Sequence, residues 1–241
     1  KPPEIAAPDP GSSAVDPTPA VDPTGGGQAG GGGETGLTRR EGVYTVLLAA
    51  TDADGFRTDT MMVMTYDVKN QKVGVVSIPR DTLINRTKGN PKLVYGSGGV
   101  KQRVEDISDM LGIPIDRYIQ VNIKDAGRTL VQVIDDGKGM SETDARMAFE
   151  RHATSKISSA DDLFSLHTMG FRGEALASIV AVSQVELRTR LKGTELGSHL
   201  VFSGSNLESI EPDACNEGSI FSVKNLFFNV PARRKFLKSN E

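Results

Sequence analysis

The chain has 241 residues, enough for one or two domains, and its 37% hydrophobic and 24% charged residues exclude a wholly disordered protein. The formal net charge of −3 and a pI of about 5.7 commit it neither to nucleic acid nor to a membrane surface. The single cysteine, Cys215, excludes an intramolecular disulfide; His152, His167 and His199 lack zinc-site spacing; and no apolar run approaches the roughly 20 residues of a membrane span.

Residues 1–42 form a low-complexity lead that holds seven of the twelve prolines, repeats AVDPT at Ala14 and Ala20, and carries a glycine run at Gly30–Gly33. Without aromatic residues such a stretch buries too little apolar surface to offset its ordering entropy, so disorder is expected there. Residues 43–50 read as a buried strand, and 60–66 and 72–78 as two more strands around a polar turn. Val100, Val104, Ile107 and Leu111 recur at helical spacing, with Gly112 and Pro114 as the stop. Residues 117–124 and 129–134 are strand-like, and Ser141 caps a helix expected to run to about Arg151. A second, largely apolar helix is expected over 174–182, followed by strands at 185–190, 196–202 and 219–223 and a basic tail at 231–238.

Two clusters carry chemistry. In the first, Arg57 and Asp59 precede one strand, while Arg80 and Asp81 follow another. Arginine grips phosphate oxygens in a bidentate fork, and aspartate can hold a Mg²⁺ that neutralises developing charge. The words around them are LLAATDADGFRTDTMMVMTYDVKNQKVGVVSIPRDTLI, KLVYGSGG and LGIPIDRYIQVNIK. Residues 43–124 thereby resemble the front part of the LytR-CpsA-Psr family. That family transfers glycopolymers from polyprenyl-pyrophosphate carriers onto peptidoglycan outside the membrane, with Mg²⁺. The resemblance implies that Arg57 and Arg80 bind pyrophosphate and that Asp59 and Asp81 serve the metal, with Lys92 at a family lysine position. The segment 85–91 is short for the family, and its later arginine motifs and lipid-pocket elements have no counterpart.

In the second cluster, Asp135-Asp136-Gly137-Lys138-Gly139-Met140 places a carboxylate directly after a strand. An aspartate there can accept from an adenine amino group, and glycines let backbone approach the ring. Residues 169–176, MGFRGEAL, run glycines into a helix start that offers N–H groups to phosphate. They match neither the Walker A loop nor the Rossmann fingerprint. With Arg151–Lys156 (RHATSK) and Asn229–Lys238 (NVPARRKFLK), residues 119–241 resemble the N-terminal ATPase region of the MutL family. That family does DNA mismatch repair and shares the gyrase, Hsp90, histidine-kinase and MutL (GHKL, or Bergerat) fold. The resemblance implies that Asp135 contacts adenine and Gly139 lines the base pocket, with Gly137 and Met140 also among the ATP-binding residues. Thr154, Ser155 and Lys156 would belong to the ATP lid, and Ser219 stands where the family has a threonine. Gly170, Phe171, Arg172, Gly173, Glu174, Ala175 and Leu176 would wrap the phosphates. The family's first helix, with the Glu that activates water and the Asn that holds Mg²⁺, is replaced by the cell-wall-like segment. Its γ-phosphate lysine is expected beyond Glu241.

The join falls within 118–125, where YIQVNIK fits both patterns. The expected fold is α/β with mixed sheets: the lead at 1–42, a LytR-CpsA-Psr-like fragment at 43–124 and a GHKL-like α/β sandwich fragment at 125–241. The leading functional expectation is ATP binding without hydrolysis, in the cytoplasm, with DNA and mismatch-repair partners. The alternatives are an extracytoplasmic glycopolymer phosphotransferase acting on polyprenyl pyrophosphate and peptidoglycan, and a recombined, engineered or computed fusion with neither activity.

Overall fold

In the computed structural model, residues 40–51, 58–86, 90–94, 98–150 and 174–237 are described, all within the unit spanning 32–241. The expected disordered lead lies outside the described residues except for 40–42, which form a turn closed by the Val43 N–H on the Arg40 carbonyl at 3.3 Å. Eleven strands are described: β1 (Val43–Thr51), β2 (Thr58–Asp67), β3 (Lys72–Ile78), β4 (Leu83–Arg86), β5 (Asn90–Leu93), β6 (Arg117–Lys124), β7 (Leu130–Asp135), β8 (Gln184–Arg190), β9 (Gly197–Ser203), β10 (Asn206–Asp213) and β11 (Gly218–Lys224). The helices are α1 (Val100–Leu111), α2 (Glu142–Met147), α3 (Ala175–Val180) and α4 (Pro231–Arg234).

Nine strands make one sheet in the order β10-β9-β8-β11-β7-β6-β1-β2-β3, and β4 and β5 form a separate hairpin. Only the β1–β6 pair is parallel; the other pairs in the sheet are antiparallel. The expected α/β class with mixed pairing is therefore present. The two sequence-defined halves are not separate layers, however: they share one sheet, joined by the β6–β7 ladder from Ile119↔Asp135 to Lys124↔Leu130.

Strand residues alternate between faces, so register fixes what each face carries. Leu47, Met61, Val63, Ile78 and Tyr118 point to one face and pack with Ile107, Val100, Val104 and Leu111 of α1. Gly112 ends that helix in the left-handed region, as its sequence predicts. Val185, Leu187, Leu200 and Phe202 point to the opposite face, where they pack with Ala145 of α2, Val180 of α3 and Phe149. The helices of the two halves thus cover opposite faces of one sheet. On the second face the first half is left open: Tyr44, Tyr66, Val73, Val75, Ile119 and Ile123 are all exposed.

Along the first face a side-chain chain ties the halves together. Thr51 Oγ1 donates to Asn122 Oδ1 at 2.6 Å, Asn122 Nδ2 to Gln132 Oε1 at 2.7 Å, and Gln132 Nε2 to Ser222 Oγ at 2.9 Å. It crosses β1, β6, β7 and β11, and because a one-residue slip would break every link, it also fixes register.

Two local expectations differ from the structure. Ser141 caps α2 as predicted, accepting from the Asp144 N–H at 3.1 Å, but the helix ends at Met147 rather than near Arg151. The next turn tightens to i→i+3 bonds, Phe149 to Arg146 and Glu150 to Met147, and Phe149 packs 4.2 Å from the Phe202 ring centroid. Strand β10 was not expected, because Glu208, Glu211 and Pro212 interrupt any apolar alternation.

Candidate functional site

The second cluster sits where β7 ends. Asp135 Oδ1 accepts the Gly137 N–H at 2.8 Å, a local turn that fixes the carboxylate and leaves Oδ2 without a donor among the described residues. Gly139 has φ +68°, and a Cβ there would lie 1.9 Å from the Arg190 carbonyl oxygen. The DDGKG backbone is therefore pressed against the end of β8, with the Lys192 N–H on the Lys138 carbonyl at 2.9 Å. Gly218 is held as closely: a Cβ would meet the Asp135 carbonyl oxygen at 2.1 Å.

Cross-strand register puts Asp135 opposite Ser219, and Ser219 opposite Thr189. The three form one row on the face that carries α2 and α3. Thr189 is fully buried; its hydroxyl donates to the Gly218 carbonyl at 3.0 Å, accepts the Met140 N–H at 3.0 Å and lies 3.1 Å from Ser219 Oγ. Thr189 was missed in the sequence. Its signal is the inward alternation Val185, Leu187, Thr189, in which a hydroxyl takes the next core position. Met140, Gly137 and Gly139 join this row. Glu174, Ala175 and Leu176 start α3, where the Glu174 carbonyl accepts the Ser178 N–H at 3.0 Å and Leu176 packs on the second core. Thr154, Ser155, Lys156, Gly170, Phe171, Arg172 and Gly173 lie outside the described residues.

Asp136 points the other way and accepts the Tyr118 N–H at 2.7 Å. Burial pushes its carboxyl above the ordinary range, against the opposing pull of that N–H and of Arg117. The Tyr118 phenol is raised by burial and by the charges of Asp136 and Asp135. A carboxyl whose folded-state pKa lies above its unfolded value opposes folding once pH passes the unfolded value, and not below it. Asp136→Asn keeps an oxygen for the Tyr118 N–H and removes the charge. It is expected to raise the melting midpoint near neutral pH, with the gain vanishing as pH falls below the usual carboxylate range. A gain that persists unchanged in acid would contradict this cause.

Of the first cluster, Arg80 Nη1 lies 2.8 Å from Asp59 Oδ1, and Arg80 Nε lies 3.8 Å from Asp81 Oδ1. The structure brings these three together; Arg57 lies outside the described residues, as does any account of the Lys92 side chain. All three side chains are exposed, so the ion pairs contribute about 1 kcal/mol or less. Arg80 contacts both carboxylates, so a cation bound by Asp59 and Asp81 would have to displace it. Among the described residues no group of three or more His, Cys, Asp or Glu side chains is placed to hold a metal. Among the described residues, Asp59 and Asp81 alone, both contacted by Arg80, do not make up a Mg²⁺ donor set.

The acids of α1 that replace the MutL pattern's first helix are elsewhere. Glu105 accepts from Gln102 Nε2 at 2.9 Å, and α1 packs on the face opposite Asp135. The basic tail begins as the exposed α4, with Arg233 placed 5.8 Å over the Phe227 ring. No helix among the described residues is long and apolar enough to cross a membrane.

Comparison with known proteins finds relatives of both parts. A sequence model of the LytR_cpsA_psr family matches residues 26–158, more than half of the chain. The DNA mismatch repair protein MutL of Parabacteroides distasonis is 68% identical over 167 residues, which is 69% of this chain and 26% of that protein. The chain thus spans about a quarter of the length of that MutL, and its match overlaps the stretch covered by the family model. Among solved structures, the Aquifex aeolicus MutL ATPase domain complexed with ADP is 27% identical with a TM-score of 0.35, over 50% of this chain and 40% of that one. B. subtilis TagV is 25% identical with a TM-score of 0.32, over 43% of this chain and 47% of that one. The chain belongs to the LytR_cpsA_psr family and is a chimera, its C-terminal part being similar to MutL.

Proposed function

We propose that the chain binds ATP at the Asp135–Ser219–Thr189 row, as a fragment of a MutL-type mismatch-repair ATPase, and does not hydrolyse it. The observation that carries the reading is that row, with Asp135 Oδ2 given no donor among the described residues, beside buried hydroxyls and two glycines pressed onto backbone. A carboxylate oxygen and a hydroxyl side by side suit an exocyclic amino group next to a ring nitrogen. The loop at 170–173 and the lid residues Thr154, Ser155 and Lys156 would complete the phosphate side. In this reading the join lies in 118–125, the working place is the cytoplasm, and DNA and repair proteins are the partners, with the α4 cations contributing to DNA contact.

Equilibrium titration with ATP tests it. The chain is expected to bind, and Asp135→Asn, which replaces one charged acceptor, to weaken binding about 10- to 100-fold. Equal affinity in both would sink the reading.

A second reading rests on Asp59, Arg80 and Asp81, which the structure clusters: pyrophosphate capture of the kind the LytR-CpsA-Psr resemblance implies. Binding of a polyprenyl pyrophosphate that is lost in Arg80→Ala supports it. Failure of both titrations leaves a fusion with neither activity.

A further inference from the structure

A cavity of about 440 Å³ lies at the seam of the two halves, within the range of small-ligand sites. Its walls come from α1 (Lys101, Glu105), the start of β6 (Arg117) and the loops after β7 and β8 and before β11 (Asp136, Lys192, Glu217). Here α1 comes from the first half and the loops from the second.

Its acids already have donors. Asp136 accepts the Tyr118 N–H at 2.7 Å, Glu217 the Gly193 N–H at 3.2 Å, and Glu105 the Gln102 amide at 2.9 Å. Its cations are less occupied. Arg117 donates to the Asp116 carbonyl at 2.7 Å, and Arg190, also on the wall, to the Cys215 and Thr194 carbonyls. Neither Lys101 nor Lys192 has a carboxylate in ion-pair distance among the described residues. Lys101 and Lys192, from two different elements, both line this one space. On the wall the cations Lys101, Arg117, Arg190 and Lys192 outnumber the acids Glu105, Asp136 and Glu217, so the balance favours an anion.

From this we infer that the seam cavity binds a phosphate-bearing anion, held between Lys101 and Lys192 with Arg117 on the wall. Asp136 faces this cavity and Asp135 faces the other side of the sheet; Gly137, whose N–H donates to Asp135, also lines the cavity, so the site adjoins the proposed nucleotide row but draws on different charged side chains.

The test is calorimetric titration of the full chain with inorganic pyrophosphate at low ionic strength, where exposed charges are least screened. The chain is expected to bind one equivalent. Lys101→Ala with Lys192→Ala should weaken binding at least about 10-fold. Both residues are exposed, so folding should be unchanged by circular dichroism. A control with the same charge change, Lys69→Ala with Lys235→Ala, should leave the affinity alone, as should Asp135→Asn. A second equivalent of ADP that survives Asp135→Asn but fails in the Lys101/Lys192 variant identifies a nucleotide's diphosphate as the source of the anion and supports the same site. The inference is overturned by any of three results: no pyrophosphate binding at millimolar concentration, equal loss in the control variant, or loss in Asp135→Asn.

Discussion

Alanine at Gly218 is expected to destabilise the chain by about 3 kcal/mol or more and to abolish nucleotide binding with it. The cause is geometric. Gly218 has φ +105°, and its added Cβ would stand 2.1 Å from the Asp135 carbonyl oxygen and 2.9 Å from the Asp136 Cα. Neither neighbour is a flexible side chain, so relief requires β11 to move off β7. That movement would part Ser219 from Asp135, which face each other in the ladder. Gly193 supplies the control: its φ is +84°, yet nothing lies within 4 Å of a Cβ there. Gly193→Ala should therefore cost only the left-handed backbone preference, about 1–2 kcal/mol. Urea unfolding of both variants checks this, and equal losses would show that the close approach at Gly218 is not what holds the site.

Leu47→Ala and Leu187→Ala should each cost about 2–5 kcal/mol, and both should shift the same unfolding transition. Both leucines are fully buried, one in each core, on opposite faces of the sheet. What couples them is the sheet itself: the β6–β7 ladder and the Thr51–Asn122–Gln132–Ser222 chain span the seam. The four tyrosines, Tyr44, Tyr66, Tyr95 and Tyr118, all lie in the first half, so tyrosine fluorescence reports that half alone. If the sheet unfolds as one unit, Leu187→Ala moves the tyrosine transition as far as it moves circular dichroism. A tyrosine transition that stays in place would mean that the halves unfold independently.

Much of this was legible in the chain. Apolar alternation located the strands at β1, β2, β3, β6, β7, β8, β9 and β11, and Val100, Val104, Ile107 and Leu111 located α1 and its packed stripe. Ser141 and Gly112 marked helix ends through side-chain and left-handed caps, both local effects. The DDGKG turn was readable because Asp135, Gly137 and Gly139 act over a few residues. The β4–β5 hairpin was not, being two four-residue strands with Pro91 inside. Thr189 was hidden because its importance comes from Ser219, thirty positions away in sequence and adjacent only across strands. The use of opposite faces was hidden for a deeper reason. Alternation tells which residues share a face, but only pairing between strands tells which face α1 and α2 cover.

That arrangement makes the central claim testable: one sheet joins the halves, and its two faces keep α1 away from the proposed nucleotide row. Hydrolysis needs a group that orients water and a metal that bridges phosphates, and even about 1 Å of misplacement costs on the order of 100-fold in rate. Glu105 and Asp109 sit on a helix that packs against Leu47 and Tyr118, whereas Asp135 points to the other side of the same strands. The decisive measurement is phosphate release by the purified chain with saturating Mg-ATP. Release is predicted to stay at background and to be unchanged by Glu105→Ala. Turnover above background that disappears in both Asp135→Asn and Glu105→Ala would contradict the claim, since it would place α1 and the row in one active site.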